Sequence, residues 1–132
     1  MITECILQVR TYECDSYGHV NNAIYLNYLE YARYEFLKAI NFDYPAFIKA
    51  GYGIFVAHLE IDYKKQAYPD DLLTIQTRPL KKGAVSGTLA QKILRDKESI
   101  VEAFVTWACV NTEGIPSKLP PQWNVPGLMP ED

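Results

Sequence analysis

At 132 residues the chain is about the size of one average domain and long enough to bury its own core, so a single domain over residues 1–132 is expected. A hydrophobic fraction of 48% and a charged fraction of 22% exclude wholesale disorder. A net charge of −3 gives no electrostatic reason to bind nucleic acid, and no apolar run is long enough to span a bilayer, so neither partner is expected. Cys5, Cys14 and Cys109 lack the spacing of a disulfide framework or a metal site. Met1 to Cys5 contains an acid and no basic leader, so a cytoplasmic protein with reduced thiols is the expectation.

In chain order, Ile6 to Tyr12 is rich in β-favouring residues and reads as a first strand ending near Cys14. The run Glu13-Cys14-Asp15-Ser16-Tyr17-Gly18-His19-Val20-Asn21-Asn22 then carries an acid into a glycine turn. From about Asn22 the apolar residues Tyr25, Leu29, Ala32, Phe36 and Ala39/Ile40 recur at helical spacing, with Asn27, Glu30, Tyr34 and Lys38 on another side. This predicts an amphipathic helix capped by Asn21 or Asn22, with Glu35 and Lys38 paired on its flank. Residues 41–53, with Pro45 and two glycines, read as a connection. Leu59, Ile61 and Tyr63 then alternate with His58, Glu60, Asp62 and Lys64 in a half-buried strand. Tyr68-Pro69-Asp70-Asp71 predicts a turn, Leu73 and Ile75 a further strand, and Lys81-Lys82-Gly83 another turn. Val85 to Leu94 and Ile100 to Val110 predict two long strands joined by Arg95 to Ser99. From about Pro116 the chain is proline-rich and reads as an irregular extension packed on the surface. The order is α+β, with one long helix to be covered by a curved, mostly antiparallel sheet.

The chemistry concentrates at the helix start. The first N–H groups of a helix lack intrahelical partners and carry the positive end of the dipole, so an acid delivered there stands beside donors able to receive an oxyanion. That suits acyl transfer, with Asp15 as the acid. The plainer role for Asp15 is an Asx turn, for Gly18 an ordinary turn glycine, and for Asn21 and Asn22 helix capping. His19 has a reference pKa of about 6.5, suited to proton transfer, and is equally readable as a structural loop histidine. His58 reads as a surface residue. With no ligand cluster around either histidine, no metal is expected. Cys14 has no partner pattern for an activated thiol. Tyr25, Tyr28 and Tyr31 read as core or interface packing, with Tyr25 alone favoured for a pocket. Lys64, Lys65, Arg78, Lys81 and Lys82 form two short basic groups at strand ends.

The run from Glu13 to Tyr25, an acid, two residues, Gly18, then His19-Val20-Asn21-Asn22 and tyrosines along a helix, resembles the signature of the 4-hydroxybenzoyl-CoA thioesterase family. Tyr68 to Ile75 resembles the family's turn into a strand. The resemblance implies the hotdog fold and hydrolysis of an acyl-CoA to a carboxylic acid and coenzyme A. It implies Asp15 as nucleophile or general base and the Asn22 backbone N–H as the donor that polarises the thioester carbonyl. It further places Gly18, His19, Val20, Asn21 and Tyr25 at the substrate and Lys81 and Lys82 at the nucleotide. Coenzyme A is then part of the substrate and no other cofactor is needed. The family also implies a homodimer or homotetramer with active sites between subunits. Three other readings stay open: a hydratase or dehydratase on the same scaffold, a non-catalytic acyl-CoA-binding or sensing module, and a thioesterase for carrier-protein thioesters.

Overall fold

The apolar stripe predicted from residue 22 onward needs a sheet to cover it, and the computed structural model, which describes residues 2–131, supplies one. Helix α1 (Asn22–Ala39) buries Tyr25, Tyr28, Leu29, Ala32 and Phe36. It lies against five antiparallel strands, β1 (Thr3–Gln8), β2 (Gly53–Tyr63), β3 (Leu72–Lys82), β4 (Ser86–Arg95) and β5 (Glu98–Val110), in the order β1-β3-β4-β5-β2. Inward residues of β5, including Val101, Ala103, Val105, Trp107 and Cys109, alternate with partly exposed ones, the period of a sheet with one buried face. Each large side chain buried this way contributes about 1.5–3 kcal/mol. No helix among the described residues is long and apolar enough to cross a membrane.

Two apolar clusters divide the interior. The first packs the N-terminal half of α1 on β1, β3, β4 and β5. The second gathers Phe36, Ile40, Phe42, Phe47, Leu89, Trp107 and Cys109 with three residues from the end of the chain, Leu119, Trp123 and Leu128.

Four local expectations need correction. The first strand stops at Gln8 and a single 3-10 turn, Thr11–Glu13, intervenes before the glycine turn, because Val9 bonds Asp70 and Asp71 and leaves the ladder with β3 there. A short helix, α2 (Tyr44–Lys49), stands within the predicted connection. Asp43 caps it, Oδ1 accepting from Ala46 N–H at 3.1 Å, and Pro45 sits in its first turn, where its missing N–H costs nothing. The β4–β5 connection is tighter than the predicted five residues: Arg95 pairs with Glu98, and Asp96 adopts a positive φ of 56°. Finally, the proline-rich end is part of the core and not a surface extension, since Leu119, Trp123 and Leu128 are buried.

Gly87 on β4 faces Trp107 on β5. A Cβ there would lie 2.7 Å from the indole Cζ2, so the close approach of ring to backbone requires glycine. Gly87→Ala is expected to cost about 1–3 kcal/mol of overpacking strain. A chemical denaturation curve checks this, and an unchanged midpoint would show that the indole moves aside freely.

Candidate active site

The segment between β1 and α1 folds as a closed turn. Cys14 and Val20 form a bridge, Asp15 N–H donates to His19 O at 3.0 Å, and Gly18 N–H donates to Asp15 O at 3.0 Å. Gly18 has φ +83°, and no atom lies within 4 Å of where its Cβ would be. Its requirement is therefore the left-handed backbone alone, not a close approach. Asp15 is half-buried, and its Oδ1 accepts from Tyr17 N–H at 2.9 Å, an Asx turn. Its Oδ2 carries no hydrogen bond among the described residues.

The same turn sets the start of α1. Asn21 is the cap: its Oδ1 accepts from Ala23 N–H at 2.9 Å, and its own N–H donates to Glu13 O at 3.0 Å. Asn22 is thus the first helical residue, and its N–H has no acceptor among the described residues. Tyr63 Oη donates to the Asn22 carbonyl at 3.2 Å, fixing the helix start over the end of β2. Replacing the cap, Asn21→Ala, is expected to lower stability by about 1 kcal/mol while Asn21→Asp keeps it. Urea midpoints of the two variants decide whether the cap matters as stated.

The remaining predicted residues divide. Val20 is 1% exposed, and its N–H donates to Ala67 O at 2.9 Å, so its side chain belongs to the core. Tyr25 packs in the core of the protomer: its buried hydroxyl accepts from Ala67 N–H at 3.0 Å, and together Val20 and Tyr25 clamp Ala67 under the helix start. Among the described residues His19 makes no hydrogen bond or ion pair with the Asp15 side chain; its ring stacks on Tyr17 and its Nδ1 lies 3.3 Å from Val20 O. Lys81 and Lys82 stand at the far end of β3, ten residues or about 33 Å along the strand from Asp71, which is hydrogen-bonded to Val9 beside the turn. Within one protomer they are remote from Asp15. Lys64 and Lys65 follow Tyr63 and pair with Glu102 and Glu98, while Arg10 pairs with Glu13 beside the helix cap.

Several contributing residues carried little sequence signal. Glu13 accepts from Arg10 N–H and from Tyr28 Oη, both at 2.8 Å, and so ties the turn to α1. Burial and the Glu13 carboxylate hold the Tyr28 hydroxyl far above its ordinary range, so it remains a neutral donor. Burial, reinforced by the Asp15, Glu13 and Asp71 carboxylates, pushes the Cys14 thiol up and away from nucleophilic thiolate. Deeper in, Gln91 Nε2 donates to Leu29 O and Thr77 Oγ1, while its Oε1 accepts from Arg33 Nη1, each at 3.0 Å. Gln91 was findable as the polar member of the inward series Leu89, Gln91, Ile93.

Arg33 borders a cavity of about 350 Å3 between α1 and the β4-β5-β2 side of the sheet. Its mouth is formed by the exposed Glu30, Tyr34, Phe55 and Val56, and its closed end by the buried Phe36, Leu89, Trp107 and Leu128. None of the predicted site residues lines it. Along β2, Phe55 at the mouth is eight residues, about 26 Å, from Tyr63 at the helix start.

An acid held in a glycine turn beside a long helix, with an antiparallel sheet wrapped round that helix and an apolar cavity between them, defines an acyl-thioester-handling domain of the hotdog class. The sequence model of the thioesterase-like superfamily matches residues 9–125, and the chain belongs to that family. It is 35% identical over 108 residues, 80% of each chain, to the long-chain acyl-CoA thioesterase FadM of Escherichia coli (strain K12). It is 32% identical over 108 residues to the chloroplastic acyl-acyl carrier protein thioesterase ATL3 of Arabidopsis thaliana, covering 76% of this chain and 54% of that one. A crystal structure of a probable thioesterase from Bartonella henselae superposes with a TM-score of 0.81 at 32% identity, covering 90% of this chain and 98% of that one.

Proposed function

We propose that this protein hydrolyses an acyl-CoA thioester to a free carboxylic acid and coenzyme A, with Asp15 as the reacting carboxylate and the Asn22 N–H as the oxyanion donor. The observation that carries this is the pairing at the start of α1. An N–H with no acceptor among the described residues sits at the positive end of an 18-residue helix, and the closed turn that leads into that helix holds a carboxylate fixed through Oδ1 and free at Oδ2. Acting as a base, Asp15 takes a proton from water as the water oxygen attacks the carbonyl. The oxyanion forms against the Asn22 N–H, and collapse expels the thiolate, which receives the proton back. Acting as a nucleophile, Asp15 displaces the thiolate to give a mixed anhydride that water then opens. Single turnover in 18O-water separates the two, since only the anhydride route leaves label in Asp15 when the water attacks the carboxylate side, and only that route yields a trappable acyl-enzyme.

The same reading takes the protein to be a cytoplasmic homo-oligomer, at least a dimer built on β2. That strand is an 11-residue edge, paired among the described residues only to β5, with Phe55 62% and Val56 50% exposed, and a long apolar edge calls for a cover. A two-fold axis through the middle of β2 would set one protomer's residues 53–56 against the partner's Tyr63 end. The partner's helix start would then stand at the mouth of this protomer's cavity, removing the separation of about 26 Å along the strand. Any nucleotide contact by Lys81 and Lys82 likewise requires a second protomer. The three unpaired cysteines suit a reducing compartment.

Loss of the thioester absorbance on a panel of short, medium, long and aromatic acyl-CoAs tests the activity. The likeness to ATL3 gives the carrier-protein reading its support, so the panel includes an acyl-carrier protein. Turnover of neither substrate class, with tight binding of acyl-CoA, would turn the assignment to a binding module.

A further inference from the structure

The end of the chain is built into the cavity in a way that the hydrolytic reading does not use. After β5, Pro116 bridges back to Val110, and Ser117 N–H donates to Cys109 O at 2.9 Å, so the strap starts from a fixed point. It is then clamped twice. Trp123 Nε1 donates to Asp43 O at 3.1 Å, and its ring meets Phe47 edge-on with centroids 5.4 Å apart. Next, Gly127 passes so close to the end of α1 that a Cβ would lie 2.4 Å from Ile40 Cβ, an approach only glycine permits. That passage delivers the Leu128 side chain to the closed end of the cavity, beside Phe36, Leu89 and Trp107. Three of these four come from α1, β4 and β5; Leu128 alone is supplied from outside the helix and sheet.

We propose that the strap, residues 116–128, is the ruler for acyl-chain length, with Leu128 as its stop. This rests on the thioesterase reading. The closed end carries no charged group, so what it accepts is a hydrocarbon terminus. The ruler therefore selects acyl chains that end at or before Leu128 over longer ones. Steric selection of this kind is steep, since one methylene too many in a closed apolar pocket is worth about 10–200-fold.

The test is kcat/KM along a ladder of straight-chain acyl-CoAs from butanoyl to octadecanoyl, for wild type, Leu128→Ala and Leu128→Phe, with thermal melting of each. Wild type should rise to one chain length and fall beyond it. Leu128→Ala should move the fall to longer chains, raising the rate for the first chain beyond the wild-type peak about tenfold or more relative to the peak chain, and Leu128→Phe should move it to shorter ones. A loosened strap without a measuring role would not shift the two variants in opposite directions. If Leu128→Ala fails to fold, the Leu128→Phe shift and the wild-type fall-off still decide. The same ladder is run as equilibrium binding of non-hydrolysable thioether analogues. Turnover with one common peak in all three proteins, or a wild type without a fall-off, overturns the ruler and leaves the thioesterase reading standing. Length-dependent binding without any turnover does the reverse.

Discussion

Asp15→Asn is expected to lower kcat/KM for every acyl-CoA the wild type hydrolyses by at least roughly a hundredfold, about 2.7 kcal/mol of transition-state stabilisation. The substitution is chosen because the asparagine Oδ1 can still accept from Tyr17 N–H, so the Asx turn, the Gly18 backbone and the Asn21 cap remain in place. What disappears is the negative charge, and with it both the nucleophile and the base. The Asn22 N–H is untouched, so residual rate above background measures what oxyanion stabilisation supplies without the acid. The check is steady-state kinetics beside a melting curve. A variant with wild-type melting and wild-type kcat/KM would remove Asp15 from the chemistry and leave it as a turn residue only.

Val56→Lys is expected to convert the protein to a monomer and to abolish most turnover, by roughly a hundredfold at enzyme concentrations where the wild type is assembled. Val56 is half-exposed on the unpaired edge of β2 and lies at the cavity mouth, while Asp15, Asn22 and the Asn21 cap are held by contacts that do not involve it. Light scattering reports the mass and the acyl-CoA assay the rate. A monomer with full activity would place acid and cavity in one chain and sink the composite site. Complementation gives an independent reading. Asp15→Asn lacks the acid and Leu89→Trp fills the cavity, so each homodimer should be inactive. If each site takes its acid from one protomer and its cavity from the other, mixing them in equal amounts should restore about a quarter of wild-type activity, since half the dimers are mixed and each of those keeps one intact site. Recovery from neither mixing nor refolding together would argue that acid and cavity act within one chain.

What the sequence determined by itself was local. The 3.6-residue period from Tyr25 to Phe36 fixed α1 and its buried face, the two-residue period of the later segments fixed the strands, and an acid before glycine and paired asparagines marked the helix start as the reactive point. These signals are short-range, each set by backbone geometry within a few residues; they mark the elements but not their ends, since β1 stops at Gln8 and β2 already starts at Gly53. The sequence could not settle which asparagine caps α1, because either could and the choice falls to the carbonyl of Glu13 that receives Asn21 N–H. Nor could it show that Tyr25 spends its hydroxyl on Ala67, 42 residues away, and so joins the core. Pro45 and the glycines hid α2, a helix too short to display a period and held by its Asp43 cap and by Phe47 packing on Trp123. The prolines after residue 116 concealed a buried strap for the same reason: its order comes from Ile40, Asp43 and Phe47, all more than 70 positions earlier in the chain. Lys81 and Lys82 matched a pattern, but the length of an extended β3 carries them away from Asp15, because a strand gains more than twice the distance per residue that a helix does. Only the tertiary structure, by folding distant segments onto one sheet, decided where the cavity lies, what closes it, and that acid and cavity stand at opposite ends of β2.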